Sequence, residues 1–469
     1  MRATLAIAIS ACLYYFSAGL GEVWPLAWIA PVPVLILAFG ASARTAALAA
    51  FAAYFLGSLN LFTYLVRVAP AAAVVVQMLL VSAVFAAVVL LARLAFRRLP
   101  PWAAAFAFPA AWTSYEFLLS LVSPHGTALS LAYSQTDFLP LLQIASLTGI
   151  WGITFVVTLV PSALAVAWVR RSLPALAPAL AITLAALAYG AVRLQQPLQQ
   201  PAVRAGLAAT DRGIAAAFRM ENPSEALEVA RAYADRVARL AAQGAQVVVL
   251  PEKFVGVTPA DSAAVTQVLG EAARAAHVTV IAGLNRFALR PPRNEAVVFA
   301  PGGQVIAEYE KHHMLPGPET GYAIGPAPAL FTAPGAQWGV AICKDMDFPA
   351  WSRGYGRRGV RILAVPAWDF VRDARLHSRM AVVRGVENGF TIARAAQQGM
   401  LTFSDAYGRI LAETPSSTMP EAMLVRNIPA GPGSTIYTRF GDWFGWTGVI
   451  ALAALIVVSA ARPRNPAHR

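Results

Sequence analysis

The first part of the chain alternates long apolar stretches with short polar connections, and the pattern changes after Val192. Most of these stretches approach the roughly 20 residues that a helix needs to cross a bilayer, although the first two are short. The pattern predicts a multi-span α-helical membrane domain and a final membrane helix at the end of the chain. The predicted spans are Thr4–Ala18, Trp24–Phe39, Thr45–Val66, Ala71–Ala92, Trp102–Leu121, Ile150–Val169, Leu173–Val192 and Trp443–Ala460. The first span could instead be a cleaved leader, but its apolar region is very short and further spans follow.

Basic residues predict the orientation of these spans. If the spans alternate, one side of the membrane receives Arg2, Arg44, the Arg93/Arg97/Arg98 cluster, Arg170–Arg171 and the tail residues Arg462, Arg464 and Arg469. Among the short connections, only Arg67 falls on the other side. The positive-inside rule therefore places both ends of the chain in the cytoplasm. An odd number of spans before the middle region then places that region outside the cytoplasm.

From Val203 onward, short β-branched stretches alternate with helical ones, which predicts an α/β domain. The predicted strands are VRAGLAA, AQVVVL, HVTVIAG, EAVVFA, QVIAEY, WGVAI and VRILAVP, and the predicted helices are Asn222–Gly244, capped by Asn222, and Asp369–Asn388. A polar, proline-containing linker, QQPLQQP, precedes them. We therefore expect a seven-span membrane domain at 1–194, an extracytoplasmic catalytic domain at 195–441, and a final membrane helix with a basic tail at 442–469.

Composition supports a membrane protein and argues against nucleic-acid binding. The chain has 469 residues, of which 58% are hydrophobic, and this is too apolar for an ordinary soluble protein. The net charge is +13, but no basic cluster has interleaved aromatic residues. The only lysines are Lys253, Lys311 and Lys344, and the two cysteines provide no disulfide framework.

Three strand exits carry the candidate chemistry. Cys343 follows the apolar stretch GVAI and stands beside charged residues, as expected of a nucleophile; the alternative is a buried structural cysteine. Glu252 follows VVVLP, and Lys311 and Glu319 follow another strand. Glu252 and Glu319 could otherwise be solvated loop charges. If these exits meet at one edge of a sheet, a thiol, a proton acceptor and a cation come together.

From about Val203 to Arg426, the order and the local sequences of these stretches resemble those of the nitrilase, or carbon-nitrogen hydrolase, superfamily. The resemblance implies a four-layer αββα sandwich with Cys343 as nucleophile, Glu252 as general base and Lys311 as stabiliser of the oxyanion. It also implies a supporting role for Glu319, and Asp345 occupies a position where that superfamily often has an acid. A buried Glu252 with Lys311 nearby is expected, because a carboxylate acts as a base here only with a raised pKa.

The membrane stretches narrow the resemblance to the apolipoprotein N-acyltransferase family. They are WPLAWIAPVPVLIL, PAAWTSYEFLLS, LAYSQ, LLQIASLTGIWGITFVV and STIYTRFGDWFGW. The resemblance implies an enzyme of the bacterial inner membrane with its catalytic domain on the periplasmic side. It implies transfer of an acyl chain from phospholipid, through a Cys343 thioester, to the N-terminal amine of a lipidated apolipoprotein. No cofactor, metal or nucleic acid is expected.

Two other classes of function remain as alternatives. One is a membrane-tethered amidase or nitrilase acting on a small amide, since Lys344 follows Cys343 where the family usually has an aromatic residue, and Leu250 replaces a common Trp. The other is a transporter or lipid-binding scaffold with a relict catalytic module, against which the complete Glu-Lys-Cys set argues.

Several further polar residues need an explanation. Arg384 and Glu387 lie near one helical face with His377, and we expect a structural ion pair. His312 and His313 could suggest a metal, but no supporting ligand cluster accompanies them, so simple neighbours of Lys311 are favoured. Glu116 and Gln143, in or near the spans, are functional candidates because burying them in lipid is costly; helix pairing would also explain them.

Overall fold

A computed structural model describes residues 2–197, 202–210, 223–419 and 421–461. The chain forms two compact units, one comprising Met1–Gln195 with Phe440–Arg469 and the other Gln196–Arg439. The predicted cap at Asn222 and the basic residues of the tail lie outside the described residues.

The first unit is helical. Its α-helices are Arg2–Ser17, Val32–Gly40, Ala43–Gly57, Phe62–Val68, Ala71–Arg98, Pro101–Ala104, Ala107–Val122, Leu139–Leu142, Ala145–Thr148, Ile150–Arg170, Ala177–Leu194 and Trp443–Ala461. Short 3₁₀ turns connect them at Trp24–Trp28, Ser58–Leu61, Leu131–Gln135 and Leu173–Leu176. Within the described residues, six helical segments are long and apolar enough to cross a membrane: Ala43–Val68, Ala71–Arg98, Pro101–Val122, Ile150–Arg170, Leu173–Leu194 and Trp443–Ala461.

The first two predicted spans coincide with shorter apolar helical segments, Arg2–Ser17 and Trp24–Gly40. Arg2–Ser17 has 16 residues and so measures about 24 Å, less than the roughly 30 Å of a hydrocarbon core. Trp24–Gly40 is divided into a 3₁₀ turn and a nine-residue helix, with Pro31 at the N-cap of that helix. Apolar content therefore predicted these two segments and their short length, but not the division of the second one.

Small residues allow the helices of this unit to pack closely. On the helix Ala43–Gly57, the buried positions Ala46, Ala49, Ala50 and Ala53 recur with a spacing of three or four residues and so share one face. A face of alanines allows neighbouring backbones to approach, and the resulting close packing is one of the forces that associate helices where lipid removes the hydrophobic driving force.

The second unit contains two mixed sheets. Its strands are β1 Ala202–Ala209, β2 Val247–Val249, β3 Val255–Gly256, β4 Thr279–Arg286, β5 Arg293–Phe299, β6 Val305–Glu310, β7 Ala329–Ala333, β8 Ala336–Val340, β9 Ile362–Trp368, β10 Thr391–Gln397, β11 Met400–Ser404, β12 Ile410–Pro415 and β13 Ala422–Pro429. The first sheet has the order β13-β1-β2-β4-β5-β6, with β3 paired to β4, and the second has the order β12-β11-β10-β9-β8-β7. Its helices are Pro223–Ala242, Ser262–Ala276, Pro349–Arg357, Ala374–Asn388 and Ile436–Phe440, and a 3₁₀ turn spans Cys343–Asp347.

Side-chain alternation along the strands produces four layers. In β2, Val247 and Val249 belong to a core shared by both sheets, whereas Val248 contacts the helices Pro223–Ala242 and Ser262–Ala276. In β9, Ala364 belongs to the shared core, and Leu363 and Val365 face the cluster that includes Tyr355 and Ala381 of the other helices. Because a strand presents alternate residues to opposite faces, each sheet is covered on one side by the other sheet and on the other side by helices. The predicted αββα sandwich and the predicted helical membrane part are both confirmed.

The seven strands predicted from the sequence are all present, and two boundaries differ in the helices. The second predicted helix begins at Ala374 rather than Asp369. Residues 369–373 turn instead, because the Asp373 carboxylate accepts the Phe370 N–H at 2.7 Å and the Asp369 N–H donates to Gln397 of β10. The first helix ends at Ala242, two residues before Gly244, which adopts a φ of 87°.

The predicted ion pair between Arg384 and Glu387 is confirmed. Nε of Arg384 lies 3.1 Å from Oε2 of Glu387, and both side chains are fully buried. We expect Arg384→Met to lower the free energy of unfolding by about 3–5 kcal/mol, because the Glu387 charge then stays buried without its guanidinium. The fall in the thermal midpoint of the detergent-solubilised chain should be roughly 5–15 °C.

Two further variants serve as controls for this prediction. Arg384→Met with Glu387→Met should recover most of the loss, because an apolar pair replaces the ion pair. Arg231→Met, on an exposed position of the helix Pro223–Ala242, should change the midpoint little. A single Arg384→Met variant as stable as the wild type would contradict the structural role.

Candidate active site

Glu252 is held where β2 leaves the first sheet. The chain crosses close to β4 at this point: a Cβ on Gly283 would lie 2.2 Å from the Pro251 carbonyl oxygen and 2.7 Å from the Glu252 Cα. On the other side, the Gln397 side chain donates to the Glu252 carbonyl oxygen at 2.6 Å. Glu252 is only 3% exposed, so its carboxylate is fixed in a buried position by neighbours from both sheets.

Lys311 follows β6 and lies between two carboxylates. Its Nζ donates to Oε1 of Glu252 and to Oε2 of Glu319, in each case at 2.8 Å. Asn294, on the adjacent strand β5, donates to Oε1 of each carboxylate at 2.6 and 2.8 Å respectively. Glu319 also accepts the Leu315 N–H at 2.8 Å, which folds the loop after β6 back over the lysine. The predicted proximity of Lys311 to a buried Glu252 is confirmed.

Cys343 stands at the turn after β8. Its φ of 43° is a left-handed conformation that side chains with a Cβ rarely adopt, and it begins the 3₁₀ turn Cys343–Asp347. The side chain is half-buried, and its Sγ lies 3.5 Å from the Trp368 carbonyl oxygen at the end of β9. Strained conformations of this kind cluster at functional sites.

These side chains come from two sheets rather than from one edge of a single sheet. Glu252 and Lys311 follow strands of the first sheet, whereas Cys343 follows a strand of the second. The Glu252 N–H donates to the Ala367 carbonyl oxygen of β9, which joins the two sheets at this end. The expectation of a single sheet edge was wrong, since strand order in the sequence does not reveal which strands share a sheet.

The charges around the thiol favour its neutral form. Burial raises the pKa of Cys343 well above its ordinary value, and the Glu252 carboxylate raises it further, whereas Lys311 opposes this rise. For Lys311, burial alone would lower the pKa, but Glu252 and Glu319 more than offset burial and hold it well above its ordinary value. Burial would raise the pKa of Glu319, yet Lys311 and Lys253 hold it well below its usual range. The thiol therefore needs a base at the moment of reaction, and Lys311 stays protonated.

Asp345 ties the turn after Cys343 to the loop after Lys311. The fully buried carboxylate accepts the Tyr309 hydroxyl at 2.6 Å, the Ile342 N–H at 3.0 Å and the His313 N–H at 2.9 Å. Lys344 pairs with Asp347 at 3.0 Å. These contacts of Asp345 hold the loop after Lys311 against the turn after Cys343.

The two histidines stack on aromatic side chains in the same region. The ring of His312 stacks on Trp351 with centroids 3.7 Å apart, and that of His313 stacks on Phe348 at 3.6 Å. Among the described residues, no group of three or more His, Cys, Asp or Glu side chains is arranged to hold a metal ion.

A buried ion network behind Cys343 was missed in the sequence. Arg394 of β10 donates to both carboxylate oxygens of Asp369, at 2.9 and 2.5 Å, and both residues are essentially buried. Nδ1 of His377 lies 3.4 Å from Asp369 and 3.1 Å from Asp373, and these two carboxylates raise the pKa of His377 to about 9 despite its burial. An arginine inside the alanine-rich strand TIARAAQ was the available signal, since such a charge requires a buried partner.

In the helical unit, Glu116 lies within a cluster of four hydrogen-bond donors. Its carboxylate accepts Trp112 Nε1 at 3.0 Å, Ser130 Oγ at 2.6 Å, the Leu131 N–H at 3.0 Å and Thr154 Oγ1 at 2.9 Å. It also lines a cavity of about 130 Å³ within this unit. Gln143 accepts from Arg193 at 2.6 Å. Both residues therefore connect helices and loops of the membrane part, as the helix-pairing explanation required.

Two family descriptions match this chain. That of the apolipoprotein N-acyltransferase N-terminal domain matches residues 10–163, and that of carbon-nitrogen hydrolase matches residues 212–430. The first match falls within the helical unit, and the second covers the unit that carries Cys343, Glu252 and Lys311.

Curated relatives match across both parts. The apolipoprotein N-acyltransferase of Geobacter metallireducens is 28% identical over 77% of this chain and 75% of its own length. That of Bradyrhizobium diazoefficiens is 27% identical over 71% of this chain and 68% of its own length. The deaminated glutathione amidase of Synechocystis sp. is 27% identical over 86% of its own length but only 43% of this chain. The amidase thus resembles one part, whereas the acyltransferases resemble both, and the chain belongs to the apolipoprotein N-acyltransferase family within the nitrilase superfamily.

Proposed function

We propose that this bacterial membrane N-acyltransferase moves an acyl chain from a phospholipid to the Cys343 thiol, and then to the N-terminal amine of a lipidated apolipoprotein. The observation that carries the proposal is the meeting of a half-buried thiol with the buried Glu252–Lys311 pair. A thiol, a proton acceptor and a fixed cation are the groups that acyl transfer through a thioester requires.

In the first half-reaction, the sulfur of Cys343 attacks the ester carbonyl carbon of the donor as its proton passes to Glu252. The negative charge that develops on the carbonyl oxygen is stabilised by the Lys311 ammonium, which its two carboxylate partners keep protonated. The carbon–oxygen bond of the ester then breaks, and the proton on Glu252 passes to the departing lysophospholipid oxygen. The acyl chain remains on Cys343 as a thioester.

In the second half-reaction, the amine of the acceptor attacks the thioester carbonyl and gives a proton to Glu252. Collapse of the tetrahedral intermediate breaks the carbon–sulfur bond, and the proton returns to the sulfur. Both half-reactions use the same base and the same cation, so Cys343, Glu252 and Lys311 form the proposed catalytic set. Glu319 and Asp345 act as positioning residues, the first on Lys311 and the second on the loop that follows it.

We further propose that the catalytic unit lies on the periplasmic side of the inner membrane. Five of the six long apolar helices precede it in the chain and one follows it. The eight-span count predicted from the sequence gives seven before it and one after it, so an odd number precedes the catalytic unit in both cases. Arg44, the cluster at Arg93–Arg98 and the pair Arg170–Arg171 fall on the same side in both counts, and the positive-inside rule assigns that side to the cytoplasm.

The donor is proposed to be a phospholipid because its acyl chains are already held in the bilayer, by about 0.8 kcal/mol per buried CH₂. An enzyme anchored in the membrane meets that donor at high local concentration. Nothing in the proposed reaction requires nucleic acid or a cofactor.

The direct test of the proposed function is mass spectrometry of the purified chain after incubation with phospholipid. We expect an acyl adduct on Cys343, which disappears when an amine-bearing diacylglyceryl peptide is added. Cys343→Ala should abolish the adduct and the activity without changing membrane insertion. Cys343→Ser should be nearly inactive, because forming an alkoxide needs a stronger base than a carboxylate.

Substantial activity in Cys343→Ala would remove the whole catalytic assignment. Hydrolysis of a small amide without transfer from phospholipid would instead favour the membrane-tethered hydrolase. Cys12→Ala is the matched control, since it removes the other cysteine of the chain and should leave the adduct unchanged.

Lys311→Met tests whether the Lys311 ammonium stabilises the oxyanion. We expect turnover to fall on the order of 10²–10³, the usual loss when one oxyanion donor is removed. Lys311→Arg should recover little, because a planar guanidinium does not fit the compact ammonium site between Glu252 and Glu319. Single-turnover acylation rates would measure both variants, and a near-normal Lys311→Met enzyme would mean that the oxyanion is held elsewhere.

Gly283→Ala tests the position of the base without altering any polar group. The added Cβ would meet backbone atoms of Pro251 and Glu252, which must shift. Because a displacement of about 1 Å can cost 10²-fold, we expect a loss of that order in the acylation rate. Gly354→Ala is the matched control, since its Cβ would meet only the end of the Arg358 side chain at 3.4 Å. Equal rates in the two variants would argue against a tightly positioned Glu252.

A further inference from the structure

Lys253 is one of only three lysines in the chain, and the proposed reaction does not use it. It is 5% exposed, and its ammonium forms an ion pair with Oε1 of Glu319. The same nitrogen lies 4.8 Å from the centroid of the Tyr322 ring, within the range of a cation–π interaction. A lysine is almost never buried to this extent unless a partner compensates its charge.

The backbone conformation of Lys253 is also unusual. Its φ is 49°, a left-handed value that Gly or Asn adopts more easily than a long side chain does. Such conformations persist where the surrounding structure requires them, and they cluster at functional sites. Here the conformation places consecutive residues on the same carboxylate–ammonium cluster, with Glu252 bound to Lys311 and Lys253 bound to Glu319.

The cluster beside the thiol therefore contains two carboxylates and two ammonium groups. Without Lys253, Glu252 and Glu319 would share a single ammonium, and the cluster would carry a net negative charge. The negative charge that develops during the reaction would then be added to a site that is already negative. Asp369, which follows β9, and Arg394 of β10 also act on the thiol, but they form a pair of their own and their effects on its pKa oppose each other. His377 and Asp373 lie behind that pair.

We propose that Lys253 is a positioning residue for acyl transfer: by neutralising Glu319, it balances the charge of the site and leaves Lys311 available to Glu252 and the reacting thiol. The proposal rests on the proposed role of Cys343 as the nucleophile. The proposed role can be distinguished from that of a purely structural ion pair. If the proposal holds, the positive charge at position 253 governs how readily the Cys343 thiol ionises, and any side chain that carries this charge has the same effect.

The test is the rate at which iodoacetamide alkylates Cys343 as a function of pH, in the full detergent-solubilised chain carrying Cys12→Ala. Lys253→Met removes a positive charge, so we expect the thiol to titrate at higher pH and alkylation near neutral pH to fall about tenfold, equivalent to one pKa unit. Glu319→Gln removes a negative charge and should shift the titration to lower pH. The double variant restores the balance, and its alkylation rate should lie within about threefold of the wild type.

Two control variants distinguish an effect of the charge of Lys253 on the thiol from an effect of lost stability. Lys253→Arg keeps the charge and should alkylate within about threefold of the wild type. Arg379→Met breaks another ion pair, between the buried Arg379 and the partly buried Glu413 at 2.7 Å, and should leave the titration of Cys343 unchanged whatever stability it loses. An unchanged titration in Lys253→Met, a Lys253→Arg variant that behaves like Lys253→Met, or a double variant displaced as far as Lys253→Met would each overturn the proposal.

Failure of this proposal is distinguishable from failure of the proposed function. The acyl adduct on wild-type Cys343 tests the nucleophile and does not depend on Lys253. The titration tests the charge balance around the thiol and requires no acyl transfer. In a chain that forms the adduct, the maximal acylation rate of Lys253→Met should therefore be reached at higher pH than that of the wild type.

Discussion

The site depends on one buried interaction, the contact of the Lys311 ammonium with two carboxylates. Nζ lies 2.8 Å from both Glu252 and Glu319, and all three side chains are 3% exposed. Removing one partner from such a group leaves an uncompensated buried charge, which costs several kcal/mol. The surrounding chain is accordingly arranged to hold every member: Asn294 donates to both carboxylates, Lys253 binds Glu319, and Leu315 closes the loop.

The two-sheet architecture makes this arrangement possible. One sheet supplies the base and the cation, and the other supplies the thiol, so the three groups approach from opposite layers of the sandwich. The distance between the layers is set by the packed apolar core that both sheets share. The proposed chemistry is thus positioned at the ends of paired strands, and two residues of the site, Lys253 and Cys343, adopt left-handed backbone conformations.

The sequence predicted the elements that have a local signal. Apolar runs ending in Glu252, Lys311 and Cys343 identified the strand exits, because a charged residue after a buried strand is conspicuous. Which strands share a sheet could not be predicted, since pairing depends on contacts distant in sequence, such as β1 with β13. Arg394 was missed for the same reason: its partner, Asp369, follows a different strand. Hydropathy located the membrane helices and indicated that the first two are short, but it did not reveal that Trp24–Gly40 is divided into a 3₁₀ turn and a nine-residue helix.

The electrostatics of the site determine what kind of thiol chemistry is available to it. A cysteine that reacts as a preformed thiolate needs an electropositive site that lowers its pKa. Here burial and Glu252 raise the pKa of Cys343, and the positive charge of Lys311 is largely taken up by two carboxylates. In the proposed mechanism, the thiol therefore stays neutral until a carbonyl carbon arrives and Glu252 accepts the proton in the same step. Such a thiol reacts poorly when no substrate is bound, and it becomes a nucleophile only when the acyl donor is in place.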